Sequence, residues 1–292
     1  MQILFHLGAH ETDGGLLIRS LLKNRAALAE AGIVVPGPGR YRDLLREVST
    51  GLRGQTASVE TTEMLLDAMT EDDRAERLVL SNENFICRPT VAVNKDGLYP
   101  KAHKAAWLSS LFPGHACEFA LALSNPATFI PKILRRQDPS GESWGERLAD
   151  MNLMDFGWSD VVARIRAAAP EVPMVVWCDE DTPLLWGDLL AEMAGIEDGP
   201  LLDGALDRVR PLLSAPDLAA LTDLLAARGD ATPSERRRIM AGFLDAYANA
   251  DAVVEEIDLP GWTEETVAML TAGYEGDLED IEAMDGVRVL TP

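Results

Sequence analysis

The chain has 292 residues, 47% of them hydrophobic, and a formal net charge of −22 from 48 acidic and 26 basic residues. A chain of this length can bury a full core as one large domain. The negative charge argues against nucleic acid and anionic membrane surfaces as partners, since both are held mainly by Lys and Arg.

Cysteine usage and hydropathy favour a cytoplasmic protein. Cys87, Cys117 and Cys178 are far apart and form no CxxC pair, so neither a disulfide framework nor a zinc site is predicted. No basic amino-terminal region precedes an apolar run, and no apolar stretch approaches ~18 residues. We therefore expect free thiols, no secretion signal, no membrane span and no bound metal.

The amino terminus has the pattern of strand, ligand-binding loop and helix. The apolar run Ile3–Leu7 predicts a strand, the segment Gly8–Gly15 a loop, and the leucine spacing of Leu16–Ala31 a helix. Free N–H groups at the start of a helix favour an anion. Glu11 and Asp13 give this loop the opposite charge from that of an anion site.

Further apolar runs alternate with helical stretches along the chain. The predicted strands are Ile33–Val35, Arg77–Ser81, Cys117–Leu123, Met174–Cys178 and Val287–Leu290. Their crossover spacing indicates an α/β fold with a parallel sheet flanked by helices. Beyond Gly199 the pattern becomes mainly helical, so residues 200–285 are predicted to be a helical extension of the same domain.

Polar residues follow several of these strands. Ser81–Asn84 follows the third strand, Ser124 the fourth and Asp179–Asp181 the fifth. Ligand sites in α/β proteins commonly lie where parallel strands end. The acidic run Asp179–Asp181 fits either a divalent-cation site or, as we prefer, a helix start before Pro183.

One family resemblance extends over most of the chain. The run Phe5–Thr12 resembles the 5′-phosphosulfate loop of PAPS-dependent sulfotransferases, which reads HIGxxKTGTT in bacterial members. Four more stretches are similar to the same family: Asn24–Pro38, Leu80–Phe85, Leu121–Arg136 and Tyr274–Ile281. The resemblance implies a single sulfotransferase-like α/β domain over residues 1–292, with a parallel sheet of the P-loop-NTPase type.

The resemblance also implies a cofactor and its binding residues. The cofactor would be PAPS (3′-phosphoadenylyl sulfate), a small-molecule nucleotide whose sulfuryl group passes to a hydroxyl or amine acceptor. The positions that match the family's binding motifs are Gly8, Ala9, His10, Thr12, Gly14, Gly15, Ser124 and Lys132. The sequence names neither the acceptor nor an oligomeric state.

The matching positions differ from the family in charge. Glu11 stands where the loop lysine is expected, and Asp13 begins the segment that replaces GTT. Ser124 stands at the 3′-phosphate arginine, and Lys132 at the serine eight residues later. A lysine replaced by a glutamate changes an attraction to a phosphate into a repulsion. Possible compensating cations are Arg19, Arg40, Arg42, Lys132, Arg135 and Arg136.

Three residues are candidates for acid–base catalysis. His10 beside Glu11 fits a general-base pair, and Glu83 after the third strand fits a base for an acceptor hydroxyl. Each has an ordinary alternative: His10 as a solvated loop histidine, Glu83 as part of a helix-capping run.

Three functional hypotheses follow. The first is a sulfotransferase-like protein whose PAPS site is degenerate and whose activity is weak or lost, which acts as a binding or regulatory module. The second is an active PAPS-dependent sulfotransferase with rebuilt charge contacts. The third is a different α/β enzyme that uses His10, Glu11 or Glu83.

Overall fold

A computed structural model describes residues 1–70, 74–196, 201–253, 257, 259 and 261–292. Its strands are β1 Gln2–His6, β2 Ile33–Val34, β3 Arg77–Ser81, β4 Val93–Asn94, β5 Gly97–Leu98, β6 Ala116–Leu123, β7 Met174–Cys178 and β8 Val287–Leu290. Six of them form one sheet in the order β2-β3-β1-β6-β7-β8, and each neighbouring pair is parallel. The residues that follow these strands therefore lie along one edge, which we call the carboxyl edge.

Helices connect the strands of this sheet. They are α1 Leu16–Lys23, α2 Arg25–Glu30, α3 Arg42–Leu52, α4 Val59–Met69, α5 Ala106–Ser109, α6 Pro126–Gln137, α7 Trp144–Ala149, α8 Trp158–Ala168, α9 Thr182–Ala194, α10 Ala215–Ala226, α11 Pro233–Tyr247, α12 Ala250–Val253 and α13 Glu264–Glu282. The α/β class and the helix-flanked parallel sheet are thus confirmed. Within the described residues, no helix is both long and apolar enough to cross a membrane.

Both faces of the sheet are buried, as a parallel sheet requires. Successive side chains of a strand point to opposite faces. Ile3 and Phe5 belong to one apolar cluster, whereas Leu4 between them belongs to the cluster on the other face. All three side chains are fully buried.

The predicted helix over Leu16–Ala31 is divided in two at Asn24. The amide Nδ2 of Asn24 donates to the carbonyl oxygens of Ser20 and Asp203, at 2.9 Å each. Its Oδ1 accepts the Asp203 N–H at 2.9 Å. Asn24 therefore ends α1 because it binds a segment almost 180 residues away.

The segment that follows β5 contains only a short α-helix. Tyr99 has a φ of +42°, outside the helical region. A 3₁₀ turn, Ala102–Ala105, comes next, and α5 covers only Ala106–Ser109. The side chain of Tyr99 is instead buried near the start of the chain, where it contacts His10.

The carboxy-terminal half contributes helices to the carboxyl edge. Thr232 and Glu235 form a capping box that begins α11. Helix α13 contacts α6 and α8, and the Asp277 carboxylate accepts the Trp158 N–H at 2.7 Å. Helix α13 thereby brings Tyr274 to the end of β7, close to Glu180.

We expect Tyr41→Phe to destabilise the fold by about 1–3 kcal/mol, because it leaves a buried N–H without a partner. The Tyr41 hydroxyl accepts the Ser81 N–H at 2.9 Å and donates to the Ser81 carbonyl at 2.7 Å. Arg42 also binds that carbonyl, so only the N–H is orphaned. Urea unfolding measures the effect. Tyr247→Phe, on a tyrosine 55% exposed, is the control, and equal stability of the two variants would contradict this account.

Candidate functional site

The loop after β1 continues the hydrogen bonding of the strand before it turns. The Ala9 N–H donates to the Ala122 carbonyl of β6 at 3.2 Å. Gly8 has a φ of +107°, and a Cβ there would lie 3.3 Å from the Cα of Glu83. Glycine is required by both the conformation and the space. Gly15, with a φ of +77°, then leads into α1.

The start of α1 is bound by a carboxylate of the loop itself. Asp13 Oδ2 accepts the Leu17 N–H at 2.8 Å, and its backbone carbonyl accepts the Leu16 N–H at 2.9 Å. Arg19 returns from α1 and donates to the Gly14 carbonyl at 2.9 Å. The negative charge that a helix amino terminus favours is therefore supplied by Asp13.

Arg136 of α6 binds two of the predicted catalytic carboxylates. Its Nη1 lies 2.8 Å from Glu11 Oε1, and its Nη2 lies 2.6 Å from Glu83 Oε1. These hydrogen bonds raise the pKa of Arg136, with that to Glu83 the stronger cause. The three side chains are 26–38% exposed, so the pairs contribute modestly to stability. Glu11 and Glu83 thus lie together, as salt-bridge partners of one cation.

His10 is buried and fully hydrogen-bonded, so the alternative of a solvated loop histidine is wrong. The Tyr99 hydroxyl lies 2.7 Å from His10 Nδ1 and accepts the His10 backbone N–H at 2.9 Å. Asn84 Oδ1, a carbonyl oxygen that can only accept, lies 3.3 Å from Nε2, so Nε2 carries the ring proton and donates to it. In the neutral ring Nδ1 then accepts from the Tyr99 hydroxyl. Burial lowers the pKa of His10, which keeps the ring neutral. No ring nitrogen is left to take a proton from a substrate.

His6 is the second buried histidine of this region. Its Nδ1 lies 2.9 Å from Ser81 Oγ, and its ring stacks on Trp177 with centroids 5.7 Å apart. Burial lowers the pKa of His6. Its Nε2 has no hydrogen-bond partner among the described residues. His6 also lines a small cavity beside the loop.

That cavity has a volume of about 360 Å³ and lies between the loop and the end of β3. Three arginines, Arg19, Arg42 and Arg136, line it together with Asp13 and Glu83. All three cations already have partners: Arg19 binds a loop carbonyl, Arg42 the Ser81 carbonyl, and Arg136 its two carboxylates.

A carboxylate also occupies the carboxyl edge beyond β6. Glu180 Oε1 accepts the Asn125 N–H at 2.7 Å and the Ser124 hydroxyl at 3.2 Å. Tyr274 donates to the other oxygen at 3.3 Å. Trp158 Nε1 binds the Ser124 carbonyl at 2.7 Å. Ser124, which the resemblance places at the 3′-phosphate position, binds Glu180 through its hydroxyl.

Arg208 connects this end of the site to the loop, and the sequence did not suggest it. Its Nη2 lies 2.7 Å from Asp179 Oδ1, and its Nη1 reaches the Thr12 carbonyl at 3.4 Å. Burial raises the pKa of Asp179 to about 6, against the attraction of Arg208 and, more weakly, of Lys132. In the sequence Arg208 lies between Asp207 and Val209, in a segment with no motif that indicates this contact.

The predicted site residues therefore form two groups. Gly8, Ala9, His10, Glu11, Thr12, Gly14 and Gly15 lie on the loop, beside Glu83. Ser124 lies at the end of β6. The positive charge of Lys132 lowers the pKa of Asp179, at the end of β7. The Thr12 hydroxyl donates to the Ala9 carbonyl at 2.8 Å, so it stabilises the loop.

The two helix-capping roles expected from the sequence have different outcomes. Residues 82–85 form a turn, in which Asn82 Oδ1 accepts the Asn84 N–H at 3.1 Å, so they cap no helix. Asp179–Asp181 form a 3₁₀ turn that leads into α9, so the helix start is confirmed. Over the described ranges, no group of three or more His, Cys, Asp and Glu side chains could hold a metal ion.

Comparison of the chain with models of known protein families, with curated proteins and with solved structures gave no match. Any assignment of function therefore depends on the chemistry of the carboxyl edge.

We expect acidification from about pH 7 to about pH 5.5 to destabilise the protein through His10. The unfolded histidine takes up a proton near pH 6.5, whereas burial lowers the pKa of the folded one. Below that pH the unfolded chain binds more protons, so stability falls as the pH falls. The loss should be smaller in His10→Gln, which keeps an amide for Tyr99 and Asn84 but does not titrate.

Urea unfolding midpoints at the two pH values measure this difference. His103→Gln is the matched control, because the His103 side chain is exposed and its loss should leave the wild-type pH dependence. An unchanged pH dependence in His10→Gln would show that the His10 ring does not oppose protonation.

Proposed function

We propose that the chain is a sulfotransferase-like protein, with a P-loop-NTPase-like sheet, that has lost PAPS binding and sulfuryl transfer and acts as a binding module. One observation carries the proposal. The carboxylates of Asp13 and Glu180 accept backbone N–H groups at the two positions where the resemblance puts the phosphates of PAPS.

At the 5′ end, Glu11 replaces the expected lysine, and Asp13 already accepts a hydrogen bond from the start of α1. Glu11 stands at the lysine and forms a salt bridge with Arg136 at 2.8 Å. Asp13 accepts the Leu17 N–H, a group that would otherwise face a bound phosphate. A phosphosulfate at this loop would meet two carboxylates.

At the 3′ end, the expected arginine is replaced by Ser124. The hydroxyl of Ser124 and the N–H of Asn125 both donate to Glu180. These are the donors that a phosphate would need. The 3′-phosphate would have to displace the Glu180 carboxylate.

The size of the electrostatic effect supports a loss of binding. Two like charges about 4 Å apart repel by ~1 kcal/mol in water and by ~4 kcal/mol at an effective dielectric constant of 20. Repulsion at both ends of one nucleotide, with the expected attraction lost at both, lowers the affinity by several orders of magnitude.

The small cavity favours a second candidate function, an active sulfotransferase with rebuilt charges. Arg19, Arg42 and Arg136 line its 360 Å³, together with His6, whose Nε2 has no hydrogen-bond partner among the described residues. In this candidate, arginines replace the loop lysine in stabilising charge on the leaving phosphate. The burial of His10 weighs against the third hypothesis, since a general base must reach the proton that it removes.

Calorimetric titration with adenosine 3′,5′-bisphosphate, the product of PAPS, separates these functions. We expect no binding to the wild-type protein up to about 1 mM nucleotide. A variant that combines Glu11→Lys, Asp13→Gly, Ser124→Arg and Glu180→Gln should bind, because it removes both internal carboxylates and restores both cations.

Low-micromolar binding to the wild-type protein would overturn the proposal and support the active enzyme. Absence of binding in both proteins would show that charge is not the cause. Thermal unfolding of the variant checks that it is folded. The control for the loss of carboxylates is Asp217→Gly with Glu235→Gln. These two residues lie at the exposed starts of α10 and α11, distant in sequence from the residues of the carboxyl edge.

A further inference from the structure

A larger cleft lies beside the small cavity. It has a volume of about 920 Å³ and is enclosed by α3, the segment after β3, and the segment around α5. Arg42 and Arg136 line both the cleft and the small cavity. Its volume is in the range of sites for small organic ligands.

The charge of the cleft is opposite to that of the protein. Acidic residues outnumber basic ones by 48 to 26 in the chain, yet the lining of the cleft includes one acidic residue, Asp43, and six basic ones. The basic residues are Arg42, Arg46, Arg88, Lys101, Lys104 and Arg136. A concave surface of one sign concentrates ligands of the opposite sign.

Within the described residues, four of these six cations have no carboxylate partner. Arg46 pairs with the exposed Asp43 at 2.8 Å, and Arg136 with Glu11 and Glu83. In the part of the chain that the structure describes, Arg42, Arg88, Lys101 and Lys104 form no salt bridge. In a chain with so many carboxylates, this leaves their charge available to a ligand.

The cleft also has an apolar and aromatic side. Phe85 and Trp107 line it, and both are only half-buried. Lys104 Nζ lies 4.6 Å from the centre of the Trp107 ring, which places a cation beside an aromatic face. Burial raises the pKa of the Cys87 thiol, which also lines the cleft, to about 12. Cys87 therefore stays neutral and does not offset the positive charge.

We propose that this cleft binds a small organic anion that carries two or more acidic groups on an aromatic body. Cations at several places in the cleft can each bind a different acidic group of the ligand. The two aromatic side chains can pack against a flat apolar body. This inference does not rest on the loss of PAPS binding, because Arg88, Lys101, Lys104 and Trp107 line only the larger cleft.

Naphthalene-1,5-disulfonate is the probe, and calorimetry measures its binding to the full chain. We expect it to bind more tightly than naphthalene-1-sulfonate, and the neutral naphthalene-1,5-diol to bind least. Added NaCl should weaken the binding, because these cations are partly exposed to solvent.

A charge-matched pair of triple variants tests the location. Arg88→Gln, Lys101→Gln and Lys104→Gln together should weaken binding about 30-fold, at about threefold for each partly exposed cation. The control triple Arg25→Gln, Lys95→Gln and Arg238→Gln removes the same charge from exposed positions that line none of the described cavities. Its affinity should stay within about twofold of the wild-type value.

Two results would overturn the proposal. Equal losses in both triples would mean that overall charge, and not the cleft, sets the affinity. Equal binding of the diol and the disulfonate would mean that the cations do not recognise the ligand. Trp107→Leu provides a second readout: it should weaken the disulfonate while leaving the stability of the fold close to that of the wild type.

Discussion

The structure depends on how negative charge is bound along the carboxyl edge of the sheet. The parallel order brings Glu11, Asp13, Glu83, Asp179 and Glu180 to one edge of the molecule. Each has a specific partner within the protein. Arg136 binds Glu11 and Glu83, and the amino terminus of α1 binds Asp13. Arg208 binds Asp179, and the Ser124–Asn125 turn binds Glu180. An anionic ligand would have to compete with these internal anions for the same donors.

The apolar strands and the loop could be predicted because their signals are local. A short apolar run that ends in polar or glycine residues indicates a strand and a turn wherever it occurs, so β1, β3, β6 and β7 follow from the sequence. The capping role of Asp13 also had a local signal, an acidic residue just before a leucine-spaced helix. In the sequence, the negative charge of Asp13 is unfavourable for a loop that binds phosphate. In the fold, the same charge stabilises the start of α1.

The partners that decide the chemistry lie far apart in the chain. Tyr99 reaches His10 across 89 residues, and Arg208 reaches Thr12 across 196. Glu180 reaches Ser124 across 56. No spacing or composition reports such contacts, because they depend on the order of the strands and on the connections between them. The sequence could therefore place His10 on a candidate site, but it could not show that both ring nitrogens are already bonded.

The positive cleft gives this arrangement a further consequence. Carboxylates hold Arg136 and Arg208 at the carboxyl edge, while the cations around Trp107 stay without such partners among the described residues. The anion site that we propose in this cleft does not depend on whether the loop binds a nucleotide, because most of its cations line only the cleft. The most direct measurement is a crystal structure grown with millimolar adenosine 3′,5′-bisphosphate. The account predicts that Asp13 still binds the Leu17 N–H and Glu180 the Asn125 N–H, with no nucleotide on the loop; phosphates on those donors, with both carboxylates displaced, would contradict it.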